Sequence, residues 1–567
     1  MLLKDKRYLP GVILFLGLLL RLWGVDFGLP HLYHQDEPMV VNHALAYGSG
    51  DLNPHYFALP PLLSYVIFAA YGLLYVIGRL AGMWAGTAEM ALYFFRDPSL
   101  FYVIGRGIAG IIPGTLNVYL TYLLARDLLG KKAALFASAV MSFCFLNVIN
   151  SHYIYMDTPL VTAILLTFIV LRKLMVSPSI RNYTLAGACV GLAAGIKYNG
   201  IFLVVPCLLA HIHVSYHGKH DGGPLWRKFL AAAGAAAFMI FLTDPFMFLA
   251  FDEFLASVSV QSGAFWYTGW AHHFLYSLKE GVSMPLLLTG TAGLGLLARR
   301  AGTGRIMAVS AILYYVLLVY RSQHFARYVL PLIPFIAAGS GYLLFGAIPR
   351  RYRFARGPVY AVIVPLLFLA PTFVKSMKAD QLFASDDTRT IAARWIKENL
   401  ETGSAIACDS TNFRPSIEQP YSQLEEKTTF LRSQPGLARA KGKKLELMMA
   451  VADRGDAGYP LYFMSRDPDE EGQFLDTIPS MPFDIEAIRE RDIDHVVINQ
   501  QLMNPEKERL VSELEEQADI IKRISPYRSG EIRRPYDRTA TTCIPVGSRE
   551  LYSRRYTGPA LTIYRMR

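Results

Sequence analysis

Long apolar runs recur from Leu9 to Phe373, separated by short loops rich in Lys and Arg, and no single soluble core can bury them all. A run of about 18 or more apolar residues is long enough to cross the hydrocarbon of a bilayer as a helix. After Lys375 the runs cease and charge becomes dense. The 567 residues are 53% hydrophobic and 18% charged, an average over these two regimes. The pattern predicts a polytopic α-helical membrane protein with a C-terminal soluble α/β domain, divided into 1–378 and 379–567.

The apolar runs place spans at Leu9–Val25, Leu100–Leu124, Ala133–Val148, Pro159–Leu174, Tyr183–Ile196, Ile201–Val214, Phe229–Leu242, Val282–Leu297, Ile306–Tyr320, Val329–Phe345 and Val359–Phe373. With these spans the basic clusters fall on one side. They are Lys4, Lys6 and Arg7; Arg126, Lys131 and Lys132; Arg172, Lys173 and Arg181; Lys219, Arg227 and Lys228; Arg299, Arg300 and Arg305; and Arg350, Arg351, Arg353 and Arg356. Cytoplasmic loops retain such residues, so the N-terminus is expected in the cytoplasm and the C-terminal domain outside the cell membrane. A single crossing at Leu59–Trp84 would invert every later loop. That segment is therefore expected to be an interfacial or re-entrant helix, or a hairpin continuing through Tyr93; the alternative is an ordinary span, which needs another crossing to keep the charge pattern, and the total is about eleven to thirteen spans.

The net charge of +11 is explained by these loops; no basic stripe with interleaved aromatics points to nucleic acid. Cys144, Cys189 and Cys207 fall in apolar runs, where a thiol acts as a small hydrophobe. Cys408 and Cys543 lie in the soluble domain and can pair if it faces an oxidising compartment. No CxxC or Cys/His cluster suggests zinc, and His211, His213, His217 and His220 read as a solvated loop. The first run carries Arg21 and lacks a small-residue cleavage site, so it is expected to stay as a span.

Polar groups that charge parity alone collects on the external side are Asp36, Glu37, Asp157, Lys197, Tyr198, Asp244, the His272-His273 region and His324 to Tyr328. Acids at the mouth of a hydrophobic bundle are costly unless water, a cation or a reacting proton uses them. A carboxylate there can act as a general base on an acceptor hydroxyl or amine. Lys197 and Arg327, each at the end of an apolar run, can hold an anionic leaving group. Arg106, inside a span, either serves the site or snorkels. Structural readings stand beside these: Asp36-Glu37-Pro38 and Asp157-Thr158-Pro159 both fit helix N-caps, and Lys197 and Arg327 fit interfacial anchors.

The order of these features resembles a known family. The acidic pair after the first span is followed by Gly48-Ser-Gly-Asp-Leu-Asn-Pro-His55, Leu59-Pro-Pro-Leu62, Asp157 before a span, Gly195-Ile-Lys-Tyr198 and Arg327-Tyr-Val-Leu-Pro331. Asp387-Thr-Arg-Thr-Ile-Ala-Ala-Arg-Trp-Ile396 opens the soluble region and Gly558-Pro-Ala-Leu-Thr-Ile-Tyr564 closes it. Together they are similar to polyprenyl-phosphate-dependent glycosyltransferases of the GT-C fold, family 39, the group of protein O-mannosyltransferases and aminoarabinose transferases. The resemblance implies transfer of a sugar from a polyprenyl-phosphate donor to a protein, lipid or glycan acceptor on the extracytoplasmic face, with inversion. It implies Asp36 as base with Glu37 beside it and Asp157 as the supporting acid. Lys197, Tyr198, Arg327, Tyr328 and His324 are then the donor-phosphate group, with His34 and Arg106 in support. The family's aminoarabinose transferases carry a phosphate-contacting lysine just ahead of the proline in the second element, where this chain has Leu59. No nucleotide loop is present, in keeping with a lipid-phosphate leaving group. A divalent cation at Asp36, Glu37 and Asp157 is possible in related folds and not required here.

In the tail, Thr388–Leu400 and Asn504–Ile521 read as helices, and Gly403–Cys408, Tyr459–Met464, His495–Ile498 and Ala560–Tyr564 as strands. The competing reading of the whole chain is a transporter or lipid flippase, whose acids and cations mark a substrate path. The acids here sit at helix ends on one side and no internal repeat is visible, which favours the enzyme.

Overall fold

The computed structural model describes residues 8–217, 223–262, 270–300, 302–320, 325–348, 357–409, 414–432, 446–452, 454, 457–464, 480–535 and 544–567. His220, His324, Cys543 and the basic residues Lys4, Lys6, Arg7, Lys219, Arg350, Arg351, Arg353 and Arg356 lie outside the described residues.

Among the described residues eight helices are long and apolar enough to cross a membrane. They are Leu62–Leu80, Ser99–Leu129, Asp157–Val176, Tyr198–His217, Leu225–Thr243, Thr303–Tyr320, Ala326–Ala347 and Val359–Phe383. The bent pair Trp270–Val282 and Met284–Ala298 raises the number to nine if it forms one span. Leu9–Leu22, Lys131–Phe143 and Ile180–Ile196 have 14, 13 and 17 residues. At 1.5 Å per residue they reach only about 20–26 Å, against hydrocarbon about 30 Å thick. These three helices are the expected spans that fall short, while Leu62–Leu80 is a span beyond the eleven expected.

Leu62–Leu80 is one unbroken helix of 19 residues, so 59–84 holds no re-entrant break. The chain then turns, and helix Thr87–Arg96 follows, with the Trp84 and Tyr93 rings edge to face at 5.7 Å. Leu62–Leu80 is long and apolar enough to be an ordinary span, which differs from the interfacial or re-entrant helix or hairpin that charge parity leads one to expect; Thr87–Arg96, with 10 residues, is too short to cross back. The histidines at 211, 213 and 217 lie on helix Val204–His217 rather than in a loop, and His211 Nδ1 is 2.9 Å from the Tyr183 hydroxyl.

Close helix contacts rest on glycine. A Cβ at Gly187 would stand 1.9 Å from the Ala232 carbonyl oxygen, at Gly191 2.4 Å from that of Ala236, and at Gly195 2.0 Å from Thr243 Oγ1. Small residues four apart let Ile180–Ile196 lie against Leu225–Thr243 backbone to backbone, the packing favoured in membranes. This seats the end of the first of these helices, and with it Lys197.

The chain forms two compact units. The first comprises Met1–Val25, Asp36–Gly72 and Tyr102–Asp380; the second comprises Asp26–Gln35, Leu73–Phe101 and Gln381–Arg567. The second unit thus takes in two early segments that a single cut at 378/379 assigns to the first. Its sheet has strands β1 (Ile406–Cys408), β2 (Leu461–Met464), β3 (Ser480–Met481), β4 (His495–Asn499), β5 (Ala518–Ile524) and β6 (Leu561–Met566), in the order β3-β2-β1-β4-β6-β5. The first four run parallel, while β6 is antiparallel to β4 and β5. The four parallel strands are short and largely buried, as expected of a sheet covered on both faces, while the edge strand β5 is charged and partly exposed. One face buries Ile488, Val496, Leu510 and Leu514; the other buries Ala392, Ile396, Ile406 and Ile563. Helix Pro505–Gln517 starts at its Asn504 cap and stops at Gln517, and Ala518–Ile521 belongs to β5. Cys408 is a free, buried thiol on β1.

Candidate active site

The acids expected at helix starts do stand there, but neither caps its helix. Asp36 precedes helix Glu37–Ala46 and makes no side-chain capping bond; its Oδ2 accepts from Arg327 Nη1 at 2.7 Å. Asp157 is the first residue of Asp157–Val176, and its Oδ1 accepts from Lys197 Nζ at 2.7 Å. Arg327 Nε stands 3.8 Å from Asp157 Oδ2, and among the described residues these two buried atoms have no hydrogen-bond partner. Arg327 therefore lies between the two acids, and Lys197 on the far side of Asp157. The four side chains form one alternating chain of charge, built from four separate stretches of sequence and contained within the first unit.

Aromatic rings wall the cations. The Arg327 guanidinium lies 4.3 Å from the Tyr155 ring centroid and 4.6 Å from that of Phe325; Lys197 Nζ lies 4.7 Å from the Tyr328 ring and 5.7 Å from Tyr155. Such faces attract cations where water is scarce. Asp157 is 3% exposed at its side chain and Asp36 17%, so one acid is sealed and the other reaches the opening. Burial lowers the Lys197 pKa, and the Asp157 carboxylate beside it opposes that fall.

Glu37 does not join this cluster, contrary to its expected place beside Asp36 at the reaction centre. Neighbouring residues of a helix point about 100° apart, and Glu37 turns inward, fully buried. It accepts from Arg106 Nε at 2.9 Å and Nη2 at 2.8 Å, and from the Ile154 backbone N–H at 3.1 Å. Arg106 also donates to the Val25 carbonyl at 2.7 Å. The pair braces the first helix's exit against the turn that carries Tyr155 and Asp157. Tyr198 donates instead to Asp244 at 3.1 Å, and His34 is buried within the second unit.

Sequence reasoning missed Tyr155, Phe325, Asn199 and Tyr314. The first two stand two residues from Asp157 and Arg327, and an aromatic so close to a buried charge is the signal that marks them. Asn199 donates to the Tyr314 hydroxyl at 3.4 Å, which donates to the Tyr328 carbonyl at 3.3 Å. These two also line an apolar cavity of about 340 Å³ with Leu160, Phe168, Phe202 and Phe335. A second cleft, of about 300 Å³, is lined by Met39, His43, Tyr47, Tyr56, Pro60 and Met156, with no ionised carboxylate, Lys or Arg in its wall.

Asp36, Asp157 and Glu37 are each already paired to a cationic side chain, and among the described residues no group of three His, Cys, Asp or Glu side chains converges to hold a metal.

Residues 101–257, which include the Asp157 and Lys197 elements, match the family described as dolichyl-phosphate-mannose-protein mannosyltransferase. No curated protein sequence matches the chain. The crystal structure of ArnT from Cupriavidus metallidurans in the apo state is similar with TM-score 0.51 and 15% identity, over 90% of this chain and 96% of that one. This is the GT-C glycosyltransferase fold. The same ArnT bound to undecaprenyl phosphate gives 0.49 and 14%, over 91% and 96% of the two chains. The Archaeoglobus fulgidus oligosaccharyltransferase tethered with an acceptor peptide gives 0.44 and 13%, over 87% and 69%. The chain thus has many membrane-crossing helices in the GT-C fold, and its central helices match a family of membrane mannosyltransferases.

One loop contact of this GT-C protein depends on pH. His55 Nε2 and Nδ1 lie 2.9 Å from Asp51 Oδ2 and Glu253 Oε2, joining the loop after helix Glu37–Ala46 to helix Phe251–Ser262. The hydrogen bond to Asp51, then that to Glu253, raises the His55 pKa above its ordinary 6.5. The contact is therefore complete below the ordinary value and lost as pH rises through the raised one. Hydrogen exchange, corrected for intrinsic rate, is expected to show protection of residues 50–57 falling across that window, and His55→Ala to remove the dependence. Equal protection above and below it would contradict the assignment.

Proposed function

We propose that the chain moves a sugar from a polyprenyl-phosphate donor to an acceptor hydroxyl on the extracytoplasmic face, by a single inverting displacement with Asp36 as general base. What supports this most is the Asp36–Arg327–Asp157–Lys197 chain, which sets one partly open carboxylate beside two cations; Asn199, two residues after Lys197, lines the apolar cavity. The donor's tail would lie in the cavity by Phe168 and Phe335, with its phosphate on Lys197 and Arg327. The acceptor would enter from the uncharged cleft by His43 and Tyr56.

In the reaction the acceptor oxygen bonds to the anomeric carbon as the bond from that carbon to the phosphate oxygen breaks. The bonding pair leaves with the polyprenyl phosphate, whose growing charge meets the two cations. The acceptor's proton passes to Asp36, whose carboxylate Arg327 orients. Asp157 touches no reactant; it orients both cations. The basic loops argue for a cytoplasmic N-terminus and an extracytoplasmic site and C-terminal domain.

The test is purified protein in lipid nanodiscs given polyprenyl-phosphate sugars, radiolabelled in the sugar, with protein, lipid and glycan acceptors. Transfer of label to one acceptor class, with an inverted anomeric centre, is expected. Donors left intact with every acceptor would remove the proposal.

A further inference from the structure

The uncharged cleft is walled by a histidine whose tautomer its own helix decides. His43 sets its Nδ1 2.6 Å from the Met39 carbonyl oxygen, one turn earlier on helix Glu37–Ala46. A carbonyl oxygen only accepts, so Nδ1 carries the proton and Nε2 keeps its lone pair. Among the described residues Nε2 has no hydrogen-bond partner. Burial lowers the His43 pKa and the bond to Met39 opposes that fall, so the neutral form prevails at pH 7 and the lone pair stays available. The Tyr56 ring stacks on the imidazole, with centroids 5.8 Å apart and planes at 27°, and this holds the ring's direction.

His43 also stands in register with Asp36. Asp36 has helical backbone angles at the head of Glu37–Ala46, and His43 follows two turns later. Seven steps of 100° return to within about 20° of the same face, about 10 Å further along the axis. Two other wall residues link the cleft to the acids: Met156, next to Asp157, and Tyr56, whose pKa is raised by burial and then by the Asp36 charge. A group bonded to Nε2 is therefore too far from Asp36 to be the hydroxyl that reacts, and belongs to a more distant part of the acceptor. The rest of the wall bears on its kind. Pro54, Pro60 and Pro61 have no backbone N–H, so an extended peptide would find few donors for its carbonyls. A sugar offers hydroxyls that donate to Nε2 and C–H faces that lie against Tyr56 and Met39.

We propose that His43 determines acceptor specificity, its Nε2 accepting from a non-reacting hydroxyl of a glycan about 10 Å from the hydroxyl that Asp36 deprotonates. The glycan is then longer than one sugar ring. The inference rests on the reading of Asp36 as base and of this cleft as the acceptor's entry. The test gives the full chain in nanodiscs a radiolabelled polyprenyl-phosphate sugar with alkyl mono-, di- and trisaccharide glycosides and a hydroxyl-bearing peptide. The longer glycosides are expected to take label with an acceptor KM about tenfold below that of the monosaccharide. His43→Phe keeps a ring against Tyr56 and loses the lone pair. It is expected to raise acceptor KM about 5- to 10-fold for the longer glycosides, to leave that of the monosaccharide unchanged, and to hold donor KM within about twofold. His43→Gln, whose amide oxygen takes the place of Nε2, is expected to stay within about threefold of wild type. Asn42→Ala, exposed on the same helix, is expected to change nothing. If His43→Phe fails to fold, His43→Asn, too short to reach the Nε2 position, decides by the same criterion. An unchanged acceptor KM in the deciding variant, an equal loss for the monosaccharide, a loss that His43→Gln does not restore, or a peptide labelled in place of every glycoside overturns the proposal. A wild type that leaves every donor intact defeats the function itself; an active wild type with an inactive Asp36→Asn and normal His43 variants defeats only this inference.

Discussion

Asp36→Asn is expected to lower kcat for sugar transfer by about 10²- to 10⁴-fold, the usual worth of a positioned general base. Asparagine keeps the shape of the side chain and can still meet Arg327, but it takes up no proton. The substitution also releases negative charge from beside Arg327, so donor affinity is expected to hold or rise. The decisive pattern is therefore a fall in kcat without a rise in donor KM, read from initial rates over a donor titration. A donor KM raised in step with an unchanged kcat would place Asp36 in binding and leave the reaction without its base.

Arg106→Met is expected to carry the largest stability loss, about 3–5 kcal/mol, because it leaves the Glu37 carboxylate buried and uncompensated. The Ile154 N–H still bonds Glu37, yet one donor does not replace a two-pronged guanidinium. Because Ile154 precedes Tyr155 and Asp157, loss of activity should follow loss of structure. The double variant Glu37→Leu with Arg106→Met removes both charges and is expected to recover most of the stability, as replacement of a whole buried pair by apolar groups often does. Unfolding midpoints of the three proteins in one detergent check this. A double variant as unstable as Arg106→Met would show that hydrogen bonds to Val25 and Ile154, rather than charge balance, carry the brace.

The sequence made the membrane core legible because apolar length is a local property. Ser99–Leu129, Asp157–Val176 and Ala326–Ala347 each announce themselves without reference to a partner. It also showed which charges lie at helix ends, since Asp36, Asp157, Lys197 and Arg327 each interrupt an apolar run. It did not show where a side chain turns. Asp36 and Glu37 are adjacent and chemically alike, but one helical step sends the first to Arg327 and the second to Arg106, and only the packed neighbours decide that. Tyr155 and Tyr314 were hidden for a similar reason: an aromatic among apolar residues looks like core until a cation is found over the first and hydrogen bonds to Asn199 and the Tyr328 carbonyl on the second. Charge parity argued against a crossing at 59–84, yet Leu62–Leu80 is one apolar helix long enough to span, because parity counts loop charges and not the length of the helix between them. The membership of 26–35 in the second unit was also beyond reach, since it depends on Tyr33 meeting residues 356 and 357 positions away.

The account depends most on the claim that Lys197 and Arg327 receive the donor phosphate beside Asp36. The direct measurement is a cryo-electron microscopy structure of the protein in nanodiscs with a non-reactive polyprenyl-phosphate sugar. The expected density places the phosphate within hydrogen-bond distance of Lys197 and Arg327, the sugar toward Asp36, and the prenyl chain along Leu160, Phe168 and Phe335. A donor phosphate seated away from both cations, with the Asp36–Arg327 and Asp157–Lys197 pairs unchanged, would contradict it.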